Sequence, residues 1–122
     1  MSTPARAGVF IYAKDPERLA AFYQGVLGAT AAHRTDVMIV LRSPDLQLIV
    51  HAMPPQVAAQ VVISDPPQLR DSAAIKFFCT VDQLEAAEET ARALGGHVLP
   101  GQWQGPGFLV CNASDPEGNI FQ

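Results

Sequence analysis

The sequence predicts an α+β protein built from two tandem modules, each a strand, a helix and then three strands. Two observations predict it. The segments "DPERLAAFYQGVLG" (Asp15 to Gly28) and "DQLEAAEETARALGG" (Asp82 to Gly96) share one frame: an Asp twelve residues before a Leu that is followed at once by Gly. Each also follows an apolar strand-like run, "GVFIYA" or "AIKFFCTV", and precedes shorter runs of the same kind. With 122 residues, 48% of them hydrophobic, the chain is long and apolar enough for one shared core.

The first module is expected over about residues 8–53. Its opening strand, "GVFIYA", leads into a helix whose free amide protons Asp15 can accept and whose first position suits Pro16. Leu19, Phe22, Tyr23 and Val26 fall at helical spacing, and Gly28 supplies a left-handed stop. "AAHRTD" reads as a hairpin, and "DVMIVLR" and "LQLIVH" as strands. Residues 54–72 have linker composition, with Pro54, Pro55, Pro66 and Pro67, although "VAAQVVIS" within them can hold a short ordered element.

The second module is expected over about residues 73–122. In "AIKFFCTV", Ile75, Phe77, Cys79 and Val81 make one apolar face suited to lie under a helix, and Lys76, Phe78 and Thr80 point the other way. Asp82 and Gly95 mark the helix ends. "HVLP", "GFLVCN" and "NIFQ" read as strands, the last introduced by the Asp-Pro-x-Gly-Asn turn of Asp115 to Asn119.

Charge and cysteine usage exclude several function classes. Net charge is −4 and the eight basic residues are scattered, so no stripe exists to bind nucleic acid. No long apolar run or leader is visible, Met1 to Ala7 being small and polar, which leads us to expect a soluble cytoplasmic protein without membrane contact. Cys79 and Cys111 lack metal or redox spacing and read as small buried hydrophobes. None of Ser43, Ser64, Ser72 and Ser114 stands in a nucleophile elbow, so hydrolysis has no support.

On "YAKDPERLAAFYQGVLG", "FCTVDQLEAAEETARALGG" and "DPEGNIFQ", in that order, the chain resembles the vicinal oxygen chelate superfamily. That superfamily includes glyoxalase I, extradiol dioxygenases and bleomycin-resistance proteins. The resemblance implies paired βαβββ modules whose eight strands curl into one cup-like mixed sheet, with helices outside and ligand inside. It also implies a homodimer, since many relatives complete their cups across a twofold interface.

Metal-dependent members hold a divalent ion with four side chains on the first and fourth strands of both modules. Carried onto this sequence, three of the positions are Gly8, Lys76 and Gln122. The fourth is Val50 if "SPDLQLIV" is matched to "DPEGNIFQ", or Leu48 if the family's Glu-to-His spacing is laid on His51. Glycine and aliphatic residues have no donor atom, a lysine brings positive charge, and one amide is a weak ligand. No metal and no other cofactor is therefore expected. His33 and His97 suit exposed connections, and His51, with Gln47 and Ile49, is expected on the face opposite the cup.

What remains is an aromatic cup with one cation and one amide, the usual make-up of a small-molecule pocket. The expected ligand-binding residues are Lys76, Gln122, Phe10, Tyr12, Phe78 and Trp103. Lys76 reads as an anchor for a ligand carboxylate or phosphate, as a catalytic amine, or as a lysine whose stem packs while its head reaches water. Trp103 lies in "GQWQGPGF", a loop suited to fold over the cup mouth or to cover a sheet edge or subunit contact. The reading is a metal-independent cup that binds a small organic ligand, an anionic group on it being suited to Lys76, with catalysis left open. The alternatives are a divalent-metal-dependent lyase, isomerase or dioxygenase, and a non-catalytic sequestering protein.

Overall fold

Helix α1 (Pro16–Leu27) forms where its signals place it. The Asp15 carboxylate accepts the Arg18 amide at 3.2 Å, Pro16 opens the helix, and Gly28 closes it at φ 66°. A computed structural model describes residues 5–122, so the expectation of a leaderless start falls partly on residues 1–4, outside them. Leu19, Phe22 and Tyr23 are fully buried, each such side chain contributing about 1.5–3 kcal/mol.

The face that receives α1 belongs to a four-stranded sheet of β1 (Gly8–Ala13), β2 (Thr30–Arg34), β3 (Met38–Arg42) and β4 (Gln47–Ala52). The order is β1-β4-β3-β2, with β1 and β4 parallel and the other pairs antiparallel. Ile39, Leu41, Leu48 and Val50 are buried against α1. His33 lies on strand β2 beside a bulge, and not at the tip of a hairpin.

The linker carries a single short helix, α2 (Pro55–Ala58). Beyond it, α3 (Leu84–Ala93) is capped by the Gln83 backbone with no side-chain hydrogen bond, so Asp82 does not play the part of Asp15. A three-stranded antiparallel sheet follows, of β5 (His97–Gly105), β6 (Phe108–Ser114) and β7 (Ile120–Phe121), in that order. "GQWQGPGF" is a hairpin between two long strands and not a loop over a mouth, because Trp103 pairs with Val110 and Gly105 with Phe108.

Residues 73–81 do not form the expected regular strand. Gln122 donates to the Phe77 carbonyl at 3.0 Å and accepts from the Cys79 amide at 2.8 Å, the start of a parallel ladder like that of β1 with β4. With β7 only two residues long, the ladder goes no further. Ile75, expected under a helix, is 88% exposed, whereas Phe77 stacks on Phe121 at 5.6 Å and lies 5.6 Å from Tyr23. The described residues therefore hold seven strands in two open sheets, the two halves of a curled cup that is not closed into a barrel.

Helices α1 and α3 pack on each other and carry one sheet each. The Asp115–Asn119 turn ties the modules together. Tyr23 donates its hydroxyl to Asp115 Oδ2 at 2.6 Å, and the amides of Lys14 and Asp15 both donate to the Glu117 carboxylate at 2.8 Å. Asp115 also accepts from the Asn119 side chain and from the amides of Glu117 and Asn119. Burial pushes the Asp115 carboxyl above its usual range against the pull of these donors. Burial, with the Asp115 charge adding, drives the Tyr23 hydroxyl well above its ordinary value.

Candidate functional site: two aromatic half-cups

Each sheet has one face packed on helices and one left open. On the first sheet, the parallel register sets Gly8 beside Gln47, Phe10 beside Ile49 and Tyr12 beside His51. Paired residues share a face. The open face is therefore Gly8, Phe10 and Tyr12 with Gln47, Ile49 and His51. Leu48 and Val50, expected in the cup, are instead 1% and 0% exposed in the core.

The reversal has a local cause. Ser43 donates to the Leu46 carbonyl, closing a turn over three residues, whereas Asp115 donates to Asn119, closing one over four. The extra residue is Gly118, at φ 87°. Matching the two turns end to end thus slips β4 by one position, and a slip of one turns every side chain over. Ile49, not Val50, is the counterpart of Gln122.

His51 is the residue that sequence reasoning misplaced. Its ring stacks on Phe10 at 5.4 Å and 25°, and meets the edge of Tyr12 at 5.7 Å. Phe10 and Tyr12 are themselves 5.1 Å apart and about half-exposed. The signal that finds His51 is parallel pairing in phase with "FIY", which is not available from the strand considered alone.

At the other end of this face, Gly8 is required by close backbone approach. A Cβ there would stand 2.4 Å from the Gln47 carbonyl oxygen, which is fixed in the β1–β4 ladder. A shallow cleft of about 240 Å³ opens beside it, lined by Ala5, Ala7, Phe10 and Ile49 among others.

On the second sheet the open face carries Trp103 and its partner Val110, together with Asn112. Lys76 reaches this face and donates to Asn112 Oδ1 at 3.0 Å. Among the described residues it has no carboxylate partner within ion-pair reach. Phe78 lies between the two residues that bond to Gln122, and is 72% exposed. The structure therefore gathers Phe10 and Tyr12 on one half-cup and Lys76, Phe78, Gln122 and Trp103 on the other. No strand of one sheet pairs with a strand of the other.

Fold and open faces define a class of paired-module cup proteins. The chain matches the family described as "Glyoxalase-like domain" over residues 8–122, and it belongs to that family, within the vicinal oxygen chelate superfamily. Solved structures agree on the fold. A glyoxalase/bleomycin resistance protein/dioxygenase family enzyme from Burkholderia phytofirmans is 21% identical with a TM-score of 0.65, the match covering 92% of this chain and 91% of that one. A bleomycin resistance determinant encoded on transposon Tn5 is 20% identical at TM-score 0.60, covering 97% and 94%. A fosfomycin resistance protein from Mesorhizobium loti is 12% identical at TM-score 0.67, covering 98% and 90%. No protein of curated function is significantly similar to the chain.

With β4 shifted by one, the positions that the resemblance assigns to a metal become Gly8, Ile49, Lys76 and Gln122. These residues do not fit a divalent ion: one amide oxygen is the only donor free of positive charge. Among the described residues, no group of three or more His, Cys, Asp or Glu lies close enough together to hold a metal. Nor is any described helix long and apolar enough to cross a membrane.

Proposed function

We propose that the protein is a metal-independent member of the glyoxalase-like family that binds a small organic anion in its cup. The observation that carries this reading is the open face of the second sheet. There Lys76, held by Asn112 and without an ion-pair partner among the described residues, stands beside exposed Phe78, half-exposed Trp103 and the Gln122 amide. Apolar walls with one placed charge are how small-molecule sites are commonly built. Phe10 and Tyr12 supply the matching wall of the other half-cup. The backbone contact at Gly8 supports the absence of a metal, because a ligating side chain there would collide with β4.

Two open half-cups in one chain favour a homodimer in which the copies complete each other's cups. Among the described residues β1 is an edge strand with no partner on its outer side, and it carries the exposed Phe10 and Tyr12. A reducing cytoplasmic setting accords with Cys79 and Cys111, both free. The test is elemental analysis of protein purified without chelator or affinity nickel, paired with thermal shift against a panel of small carboxylates and phosphates. The reading expects negligible metal per chain, no stabilisation by added metal, and stabilisation by a subset of the anions. Near one equivalent of zinc, nickel, manganese or iron overturns it.

A further inference from the structure

We infer that His51 is the hydrogen-bond acceptor for a planar aromatic ligand bearing an N–H or O–H donor, seated on the Phe10–Tyr12 shelf. This rests on the reading of the cup as a small-molecule site and names the ligand class of its first half. The imidazole Nδ1 lies 2.7 Å from the Ala52 carbonyl oxygen. A carbonyl only accepts, so Nδ1 carries the proton, and in the neutral ring Nε2 is left as a bare lone pair. The two ring nitrogens point to nearly opposite sides, so with Nδ1 turned to the backbone, Nε2 faces away from it. No donor among the described residues takes that lone pair.

The surroundings select the rest of the ligand. Phe10 stacks on the His51 ring at 25°, and Tyr12 stands edge-on to it, so the imidazole is flanked by two aromatic rings. Phe10 is 49% and Tyr12 55% exposed, so their outer surfaces are open to a further ring, which prefers offset stacking or edge contact. The Nε2 lone pair lies in the imidazole plane, so the ring that meets it is one that packs on these surfaces with its own edge in that plane. A donor on that edge completes the lone pair, whereas a ring without one leaves a polar atom covered and unpaired.

Indole and N-methylindole test this, since they share a ring system and differ in the donor. Binding is read by amide chemical-shift titration of the intact protein, and the His51 tautomer by nitrogen-15 shifts. The expected result is shifts along Gly8–Ala13 and Gln47–Ala52, with indole bound on the order of tenfold more tightly than N-methylindole. His51→Phe keeps the ring and should remove the difference, and wild-type His51 should carry its proton on Nδ1. Equal affinities in the wild type, or a proton on Nε2, overturn the inference. If neither indole binds while anions still shift the Lys76 and Asn112 amides, the inference falls and the cup reading stands. If nothing binds on either sheet, both fall.

Discussion

Tyr23→Phe removes one hydroxyl and leaves the ring in place, so it isolates the bond to Asp115. Both partners are fully buried. In the wild type the carboxylate has four hydrogen-bond donors, from Tyr23, the Asn119 side chain and the amides of Glu117 and Asn119. The variant leaves three. A hydrogen bond to a charged group is worth roughly 1.5–3 kcal/mol, so the expected loss at neutral pH is about 2 kcal/mol, or roughly 8 °C in Tm for a domain of this size.

The pH dependence sharpens the test. Burial raises the Asp115 carboxyl in the folded state, so folding favours its protonated form. That contribution is full below the unfolded carboxylate value and is lost as pH rises through the folded value. Losing the Tyr23 donor, which opposes the rise, pushes the folded value higher still. The deficit of the variant is therefore larger at pH 7 than at pH 4, where Asp115 takes up its proton and the lost bond is one between neutral groups. Urea unfolding followed by circular dichroism at both pH values measures it. A deficit under about 0.5 kcal/mol at pH 7, or one equally large at pH 4, refutes the account.

Gly8→Ala should destabilise by about 1–3 kcal/mol in urea unfolding, because its Cβ meets the Gln47 carbonyl at 2.4 Å and β4 must shift. Gly8→His should in addition recover no metal by elemental analysis. Lys76→Met should lower affinity for anionic ligands roughly tenfold by calorimetry. Stability should change by less than about 0.5 kcal/mol, since the side chain is exposed. Burial, with the Asp45 charge adding, pushes the Cys79 thiol up to about 11. At pH 8 about one molecule in a thousand then carries the thiolate, and alkylation of Cys79, followed by mass spectrometry, should quicken roughly tenfold per pH unit until about pH 11.

What could be read from the chain divides along the line between local and cross-strand information. Helix α1 was legible in full because its cap, its stripe and its stop all lie within Asp15 to Gly28, and each acts on the same stretch of backbone. The face of β4 was not, because it depends on how many residues the preceding turn consumes, and Ser43–Leu46 and Asp115–Asn119 differ by one. Residues 73–81 look like a strand on composition, yet a strand needs a partner of equal length, and β7 offers two residues. The glycines around Trp103 suit a loop, whereas its pairing with Val110 carries the strand through. At the site, the aromatic and charged residues were legible as types, and their distribution over two separate sheets was not.

The Asp115–Asn119 turn also makes the two halves of a duplicated chain non-interchangeable. Its acids grip the start of α1 and Tyr23, but among the described residues the corresponding turn of the first half bonds only within itself, Ser43 to Leu46. The halves behave as key and lock, and no longer as twins. A hybrid made of two first halves would present the lock at Lys14, Asp15 and Tyr23 twice and the key not at all. Tolerance to substitution at a position in one half therefore says little about the matching position in the other, and recombination between the halves loses these bonds.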